Sequence, residues 1–377
     1  MNINNIKKLD YYIGYLLILI FWPFNFLIGF VLNFIPSGIF KKNIVFLKIV
    51  GGGSLLIAAP SIFAIKKQYP TYKMVLLCSN SVVSFARTMG IFDEIYVVSL
   101  KNPITLIYSF LKIFGRIICS EFIVNLEIYS KLSSLVVLYT LSKNRIGLYL
   151  NYNKWQSGLI NSPIYMNSQH PVHEAYANIA HKLNCKSIEF AYFKKYFKYF
   201  NKLKIHKITN EIAIAPFCSD IYTERELNPS QIKSIISELK LSKNVSYIIL
   251  GGNNDLDKSK QLEEELIKLN MDVKNMVGIT SIMEVIHILS SVKLLITIDS
   301  GILHLARLIG TQTLSYWGPS DPALRLLGSV NNDKFIYKRI NCSPCVHTLD
   351  IAPCRGNNLC MKQYFETIPK RIFWQIR

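Results

Sequence analysis

The chain has 377 residues, half of them hydrophobic and only 18% charged, and its formal net charge is +19 at pH 7. This length suits two domains with well-buried cores, at a usual size of about 100 to 200 residues each. The cationic excess indicates an anionic partner, either a phosphorylated ligand, an acidic membrane surface or a nucleic acid. Because no helix-turn-helix, zinc-finger, RRM or KH signature accompanies the charge, we expect no nucleic-acid partner.

The N-terminal stretch over residues 11–40 contains no charged side chain. A spanning helix needs about 20 apolar residues, so the stretch is long enough to cross a membrane once. Pro23 and Asn25 interrupt its middle. The alternatives are a kinked spanning helix, a re-entrant hairpin, a helix lying in the membrane interface, or a buried helix of a soluble protein. The run is too long for a cleaved signal peptide. We therefore predict a hydrophobic membrane-associating segment over residues 1–40.

An alternating strand and helix pattern follows. A strand predicted over residues 43–50 leads into Gly51-Gly52-Gly53-Ser54 and an apolar helix. This glycine-rich turn does not fit GxGxxG, so it is weak evidence of phosphate binding on its own. Further strands are predicted over residues 72–78, 94–100, 121–126 and 145–150, with helices between them. This order predicts a parallel doubly wound domain, which we place at residues 41–205.

Two helices in the following stretch carry conspicuous side chains. The first opens at His170-Pro171-Val172-His173-Glu174, which is typical of an exposed helix start. The second, over residues 190–204, has phenylalanines at spacings of three and four and lysines at other positions. A basic aromatic helix of this kind is compatible with membrane-surface contact and equally with a core-packed helix that has a solvated face. Its residues are Phe190, Phe193, Phe197 and Phe200, with Lys194, Lys198 and Lys202.

A second alternating block begins at Glu211, and we predict a second domain of the same plan over residues 206–377. Its first strand, over residues 212–215, precedes a loop in which Arg225 lies between two glutamates. A strand over residues 246–250 ends at another glycine pair. Further on, Thr280 or Ser281 is a predicted helix N-cap, and Glu284 is spaced to complete a capping box.

The stretch from Lys293 to Asp321 contains the strongest local pattern. An apolar run, Leu294 to Ile298, meets Asp299-Ser300-Gly301 and a helix that ends at Gly310. The pattern predicts a strand, a tight loop and a helix, so the helix begins at the carboxyl end of the strand. Free N–H groups and a positive dipole suit such a helix start to an anion such as a phosphate. Ligands bind at this edge of open α/β sheets.

Eight cysteines are present. Four lie singly and are interpreted as packed thiols. The other four have the spacing C-x2-C-x8-C-x5-C, which suits one structural zinc ion or a pair of disulfides. These are Cys342, Cys345, Cys354 and Cys360. We expect no catalytic metal here.

The sequence DSGxxHLA, a glycine after a short helix, then a strand and GPSDP resemble the donor-site signature of glycosyltransferase family nine, the lipopolysaccharide heptosyltransferase family. The resemblance implies an α/β protein of GT-B architecture, with two Rossmann-like parallel-sheet domains facing across a cleft. It implies inverting, metal-independent transfer of a sugar, with ADP-heptose as the suggested donor. The acceptor would be a lipopolysaccharide-type glycolipid or another surface glycan, and no cofactor is expected. A nucleotide-sugar donor places the enzyme on the cytoplasmic side of the inner membrane.

The resemblance also implies roles for residues of the second domain. Arg225 corresponds to a basic residue that lies against the donor's phosphates, where its charge would stabilise the diphosphate leaving group. Asp299 would orient the donor sugar and His304 would bind a phosphate or sugar oxygen. Ser300 and Gly301 would donate N–H groups to the phosphates. The segment that lines the nucleotide contains Ile279, Thr280 and Glu284.

In the first domain the resemblance is weaker. Ser54 stands where the family has an aspartate base, and a serine hydroxyl cannot take a proton near pH 7 without a base of its own. Glu127, after the predicted strand 121–126, is the replacement candidate for the general base, or else a surface glutamate capping the next helix. Gly53, Ser54 and His173 are the candidate acceptor-binding residues, and Ser54 is also a candidate catalytic residue beside Glu127 and Arg225. The alternatives for Ser54 are that it binds a phosphate or that the site is altered. Two other functions remain open: a non-catalytic, membrane-attached nucleotide-sugar-binding protein and a nucleotide-sugar epimerase.

Overall fold

The structure is a computed structural model, and it describes residues 3–150, 154–156, 158–203, 208–218, 222–239, 244–328, 332–346, 352–354 and 357–362. The side chains of residues 3–9 and 154 are not among those described. The chain divides into two compact units, Met1–Phe193 and Lys194–Arg377.

The first unit is a six-stranded parallel sheet with helices between its strands, preceded by two N-terminal helices. Its elements are α1 (Ile3–Ile20), α2 (Trp22–Phe34), β1 (Lys41–Lys48), α3 (Gly52–Gln68), β2 (Lys73–Ser79), α4 (Asn80–Thr88), β3 (Glu94–Val98), α5 (Pro103–Ile117), β4 (Ser120–Asn125), α6 (Lys131–Tyr139), β5 (Asn144–Tyr149), β6 (Ser162–Tyr165) and α7 (Val172–Lys182). The strand order is β3-β2-β1-β4-β5-β6, and every strand pair is parallel.

The second unit repeats this plan. Its elements are β7 (Glu211–Ala215), α9 (Pro229–Glu238), β8 (Ser246–Ile249), α10 (Leu256–Ile267), β9 (Asp272–Asn275), α11 (Ile282–Ser291), β10 (Leu294–Ile298), α12 (Gly301–Ile309), β11 (Thr313–Trp317), α13 (Pro322–Arg325) and β12 (Asp333–Tyr337). The order β12-β11-β10-β7-β8-β9 is that of the first sheet read from the other edge. In each sheet the order reverses between the first and fourth strands, and this switch point opens a crevice at the carboxyl ends of the strands.

The prediction of an α/β fold of two Rossmann-like sheets is therefore confirmed. Strands β6, β9 and β12 were not predicted from the sequence. Each forms one edge of its sheet and carries polar or partly exposed residues, so its apolar pattern is weak. The predicted strands agree with the observed ones to within about two residues at each end, which is the usual uncertainty of such boundaries.

The α1–α2 pair packs along the first unit. Ile18 and Leu32 are buried against Leu135 and Leu138 of α6. The Asp10 carboxylate accepts hydrogen bonds from the hydroxyl of Ser130 and from two backbone N–H groups at the start of α6, at 2.7 to 2.9 Å. A side chain is thus used to cap another helix, and α1 is held at the amino end of α6.

A buried arginine fixes α2. The guanidinium of Arg145 donates to the carbonyl oxygens of Leu159 and Ser142, and at 3.3 Å to that of Gly29 in α2. Burial lowers the pKa of Arg145 to about 10. Gly29 is required by this packing, because a Cβ there would lie 2.4 Å from the carbonyl oxygen of Gly158. One side of α2 therefore packs against the rest of the first unit and is not available for contact with lipid.

No single helix among the described residues is long and apolar enough to cross a membrane. The pair Asp10–Ile20 and Trp22–Phe34 meets the length and composition requirement only when taken together, and it is bent by 74°. The outward sides of both helices expose large apolar residues, among them Tyr12, Leu19, Trp22, Leu27 and Phe34.

The basic aromatic stretch forms α8 (Phe190–Phe200); two of its four phenylalanines are core, whereas Phe190 is half-buried and Phe200 is 44% exposed. Phe193 and Phe197 are completely buried, and Phe193 packs against Phe63. The Nζ atom of Lys194 lies at the carboxyl end of α12, since a side-chain carbon built on Gly310 would be 2.9 Å from it. A cation is favourable at that end of a helix dipole. The side of α8 that contains Phe193 and Phe197 is therefore packed in the protein, as the second interpretation expects.

Candidate functional site

The predicted strand, loop and helix around residue 300 are present. β10 is completely buried, and α12 begins directly after Asp299-Ser300. Ser300 is the N-cap, with extended backbone and a hydroxyl oxygen that accepts from the N–H of Leu303 at 3.5 Å. Gly310 ends the helix in the left-handed conformation, at φ 91°. The N-terminus of α12 thus lies at the switch point of the second sheet, next to the loop after β7.

Arg225 crosses this switch point and contacts Asp299. Its Nη1 atom donates to the backbone carbonyl oxygen of Asp299 at 2.7 Å and lies 3.5 Å from the carboxylate atom Oδ2. Both side chains are almost completely buried. The structure therefore places Arg225 beside the predicted donor residues, but with its charge already balanced by a carboxylate.

His304 completes a buried cluster on the same carboxylate. Its Nε2 atom lies 3.6 Å from Oδ1 of Asp299. Burial raises the pKa of Asp299, but the His304 contact and the charge of Arg225 outweigh it, so that the pKa is well below its ordinary value. Burial lowers the pKa of His304, with partial opposition from Asp299. At neutral pH the cluster therefore holds a carboxylate, a guanidinium and an uncharged imidazole, with a net charge near zero.

This arrangement predicts a pH dependence of stability. The pKa of His304 is lower in the folded protein than its ordinary value of 6.5, so the folded state resists the proton that the unfolded state accepts. The free energy of unfolding should therefore decrease as the pH falls through about 6.5. Replacing His304 with glutamine should reduce this dependence between pH 7.5 and 5.5 in urea titrations. An unchanged slope in His304→Gln would contradict the assignment.

The segment after β9 contains the other candidate donor residues. Ile279 is 69% exposed and lies outside the core. The hydroxyl of Thr280 donates to the carbonyl oxygen of Met276 at 3.2 Å. The predicted capping box is present: Ser281 is the N-cap of α11, and the Glu284 carboxylate accepts from its N–H at 2.7 Å. Glu284 thus acts first as a helix cap.

The loop after β11, Gly318 to Asp321, is braced by the cysteine segment. The N–H groups of Cys345 and Val346 both donate to the carbonyl oxygen of Pro319 at 2.9 Å. The Ser320 hydroxyl is buried and has no hydrogen-bond partner among the described residues. Buried polar atoms are normally hydrogen-bonded, so this hydroxyl is an exception among the buried side chains that the structure describes.

The four clustered cysteines are free thiols in the structure. Burial, followed by the neighbouring Cys345, Cys354 and Cys342, raises the pKa of Cys360 to about 11. Among the described residues, no group of three or more His, Cys, Asp or Glu side chains is arranged to hold a metal ion. The contact that the structure shows for this segment is the support of the loop at Pro319.

In the first unit, Glu127 lies at the corresponding switch point. Its Oε1 atom accepts from the backbone N–H groups of Ile49 and Val50 at 2.7 and 3.0 Å, and its Oε2 atom lies 3.3 Å from Nζ of Lys48. Glu127 is buried, and α6 is capped by Ser130. The alternative of a surface glutamate capping the next helix is therefore wrong.

The other candidates in the first unit lie close to the start of their helices. Gly53 and Ser54 are in the first turn of α3, and the Ser54 hydroxyl donates to the carbonyl oxygen of Gly51 at 2.8 Å. Gly51 adopts φ 88°, a conformation that favours glycine. His173 is half-buried in the first turn of α7 rather than exposed.

Both units contain a buried ion pair at the switch point that was not predicted from the sequence. A cation from the first strand or its loop meets a carboxylate that follows the fourth strand: Lys48 with Glu127, and Arg225 with Asp299. Lys48 is the last residue of β1, and it is a charged residue that directly follows the buried apolar part of the strand. A lysine in this position could have indicated from the sequence that a carboxylate lies nearby. In both units the pair joins the two loops that border the crevice.

Two parallel sheets of this strand order, each with a switch-point crevice of its own, are the architecture of GT-B glycosyltransferases. Residues 235–355 match the family model of glycosyltransferase family 9 (heptosyltransferase). The match covers this segment and less than half of the chain; it supports a glycosyltransferase and confirms the resemblance seen in the sequence.

Solved structures show the same fold over most of the chain. A family 9 glycosyltransferase from Veillonella parvula DSM 2008 has 15% identity and a TM-score of 0.59, over 79% of this chain and 86% of that one. The E. coli ADP-heptose lps heptosyltransferase II has 15% identity and a TM-score of 0.57, over 86% and 99%. E. coli heptosyltransferase WaaC with ADP has 13% identity and a TM-score of 0.61, also over 86% and 99%. No curated protein sequence matches the chain.

Proposed function

We propose that the protein transfers a heptose from ADP-heptose to a lipopolysaccharide-type or other surface-glycan acceptor, with inversion and without a metal ion. The observation that carries the proposal is the N-terminus of α12 at the second switch point, within the segment that matches the family model. Structures of the same fold include E. coli WaaC with ADP-2-deoxy-2-fluoro heptose. The donor class is inferred from that similarity, and the acceptor class from the family.

The donor's diphosphate is proposed to bind at the free N–H groups of the first turn of α12, beginning at Gly301. Asp299 cannot repel the diphosphate strongly, because Arg225 balances its charge at 3.5 Å. Arg225 also holds the Asp299 backbone through its 2.7 Å hydrogen bond, and so positions the loop that presents those N–H groups. His304, uncharged at neutral pH, is the proposed partner of a sugar oxygen. Ile279 and Thr280 are the proposed contacts to the nucleoside.

Glu127 is the proposed general base. The acceptor's hydroxyl gives its proton to the carboxylate as the oxygen attacks the anomeric carbon, and the bond from that carbon to the diphosphate breaks with its electron pair leaving on ADP. One displacement of this kind inverts the configuration. Backbone N–H groups hold the Oε1 atom of Glu127, which leaves Oε2, beside Lys48, as the atom that receives the proton. Gly53, Ser54 and His173 are the proposed acceptor contacts.

The enzyme is proposed to act at the cytoplasmic side of the inner membrane, where a nucleotide sugar and a growing glycolipid are both present. The α1–α2 pair supports membrane association through its exposed apolar side. Its opposite side packs on α6 and on the buried charge of Arg145. A charge at hydrocarbon depth is costly, so a pair lying in the interface is the form of association that we propose.

Incubation of the full-length protein with labelled ADP-heptose and a truncated core lipid tests the proposal. We expect label in the lipid, with the opposite anomeric configuration and with no loss of turnover in EDTA. Lipid that stays unlabelled under all conditions would contradict the proposal. The same samples without acceptor are the control for donor hydrolysis.

A second function, binding without catalysis, is favoured by Ser54, whose hydroxyl cannot replace an aspartate base and donates to Gly51 instead. Saturable ADP-heptose binding without transfer would support it. Conversion of the donor to an epimer in the absence of acceptor would support the epimerase alternative.

A further inference from the structure

We propose that α5 is a second membrane-binding element, which lies on an anionic bilayer with Ile104, Ile107, Tyr108 and Leu111 among the lipids. The inference adds a new contact surface to the membrane association proposed above and rests on it in part. The observations that carry it are the exposure of one side of α5, the charges beside that side, and its position relative to α1–α2.

α5 is capped at its N-terminus and packed into the core on one side, so its buried and exposed sides can be distinguished. Pro103 occupies the first turn, and Asn102 and Thr105 form a capping box, in which the Asn102 side chain accepts from the N–H of Thr105 at 2.8 Å. Ile113 and Ile117 are buried in the core of the first sheet. At 3.6 residues per turn, the four residues named above fall on the side opposite to these two.

The outer side of α5 is apolar and exposed to solvent. Exposure of the four side chains ranges from 60% for Ile107 to 79% for Ile104. A surface helix of a globular protein normally places polar residues there, and single exposed apolar residues are common whereas a contiguous stripe is not. The stripe therefore indicates a partner whose surface is itself apolar.

The charges beside the stripe indicate which partner this is. Lys101 and Lys112 are both exposed, and the helix contains no acidic residue. Apolar residues flanked by lysines fit the headgroup region of an anionic bilayer. A second copy of the chain would bring the same positive charge, and the net charge of +19 opposes that association.

α5 and the α1–α2 pair lie on the same side of the first sheet. Ile117 of α5 and Val137 of α6 belong to one buried cluster, together with Val45 and Ile123 of the sheet. The α1–α2 pair then packs on α6 through Leu135 and its neighbours. α5 and the α1–α2 pair are therefore both packed, directly or through α6, on one side of the sheet, which is compatible with contact to a single lipid surface.

The position of the stripe along the helix also has a consequence. α5 begins five residues after the end of β3, so its first turns lie near the carboxyl edge of the sheet, where the loops of Gly51 and Glu127 also lie. A bilayer in contact with Ile104 and Tyr108 would thus be close to the acceptor loops of this unit. We infer that the acceptor is presented from the membrane rather than from solution.

Vesicle flotation of the full-length protein tests the proposal, with phosphatidylethanolamine–phosphatidylglycerol vesicles and phosphatidylcholine vesicles compared. The Ile107→Glu/Leu111→Glu variant should lose roughly tenfold or more in its partition coefficient, because two apolar side chains leave the lipid. The matched control is Ile267→Glu/Leu269→Glu, which makes the same change at exposed residues of the second unit and should partition as the wild type does. Lys112→Glu should lose about fivefold or more on the anionic vesicles only.

A photoreactive benzophenone side chain at position 108 should form a lipid adduct, and one at position 199, where Tyr199 is 84% exposed on α8, should not. Circular dichroism checks that each variant is folded. Wild-type partition by the α5 variant and no adduct at position 108 would overturn the proposal. Dissociation of a dimer by the α5 variant without a change in partition would also overturn it, in favour of a second copy.

Failure of this proposal is distinguishable from failure of the proposed function. Phe24→Glu/Leu27→Glu tests the α1–α2 pair by the same flotation assay, because both side chains are exposed on α2. Transfer to a deacylated, water-soluble acceptor tests the chemistry without a membrane, and the α5 variant should retain the wild-type rate there.

Discussion

Replacing Arg225 with methionine is expected to destabilise the protein by about 3–5 kcal/mol, the usual cost of leaving one partner of a buried ion pair alone. The Asp299 carboxylate is 5% exposed as a residue, and its Oδ2 atom has no hydrogen bond among the described residues apart from the 3.5 Å ion pair. Donor affinity should fall as well, because Arg225 holds the loop at the start of α12. Urea unfolding and equilibrium binding of ADP-heptose measure the two effects.

The chain offers a matched control in the neighbouring ion pair. Lys258 pairs with Glu226 at 2.7 Å but is 43% exposed, so Lys258→Met should cost only about 0–1 kcal/mol. The double variant Arg225→Met/Asp299→Asn should recover part of the stability, because no buried charge remains unpaired. Equal losses in the free energy of unfolding for Arg225→Met and Lys258→Met would show that the buried ion pair contributes no more to stability than the exposed one.

Replacing Glu127 with glutamine should lower kcat by about 10²–10⁴, the usual contribution of a general base. The side-chain oxygen of glutamine can still accept from the N–H groups of Ile49 and Val50, but the buried Lys48 loses its carboxylate partner, so stability should fall as well. Urea unfolding of Glu127→Gln therefore accompanies the kinetic assay, which is carried out where the variant is folded. Steady-state transfer at saturating donor measures the effect.

Two further variants sharpen this test. Ser54→Ala should change kcat little, because the hydroxyl of Ser54 is bonded to the carbonyl of Gly51 in its own helix turn. Glu174→Gln, at an exposed carboxylate of α7, is the control for the loss of one negative charge. Full turnover in Glu127→Gln would assign Glu127 a structural role only, holding the end of β1 to the end of β4.

The local structure of the candidate site in the second domain could be predicted because its residues are close in the sequence. Asp299, Ser300, Gly301 and His304 lie within six positions, and a strand, a cap and one helix turn bring them together by local geometry alone. The central strands β1, β7 and β10 were readable for a similar reason, since each is an apolar run bounded by turn residues.

The two ion pairs could not be predicted from local sequence patterns. Lys48 and Glu127 are 79 positions apart, and Arg225 and Asp299 are 74 apart. Each pair forms only because the first and fourth strands of a sheet are neighbours, which depends on the strand order. Arg225 was identified from the sequence as a phosphate contact, whereas the structure shows its charge committed to Asp299.

The phenylalanines of α8 also could not be assigned to the core or to a lipid surface from the sequence. Their helical spacing suits a buried face and a lipid-facing one equally, because the hydrophobic effect removes apolar surface from water without specifying what covers it. The sequence by itself determined most of the strands and helices, including the strand, loop and helix around residue 300, because these depend on local patterns. Only the tertiary structure decided which charges are paired and which apolar faces stay uncovered, because pairing and coverage depend on neighbours that are distant in the chain.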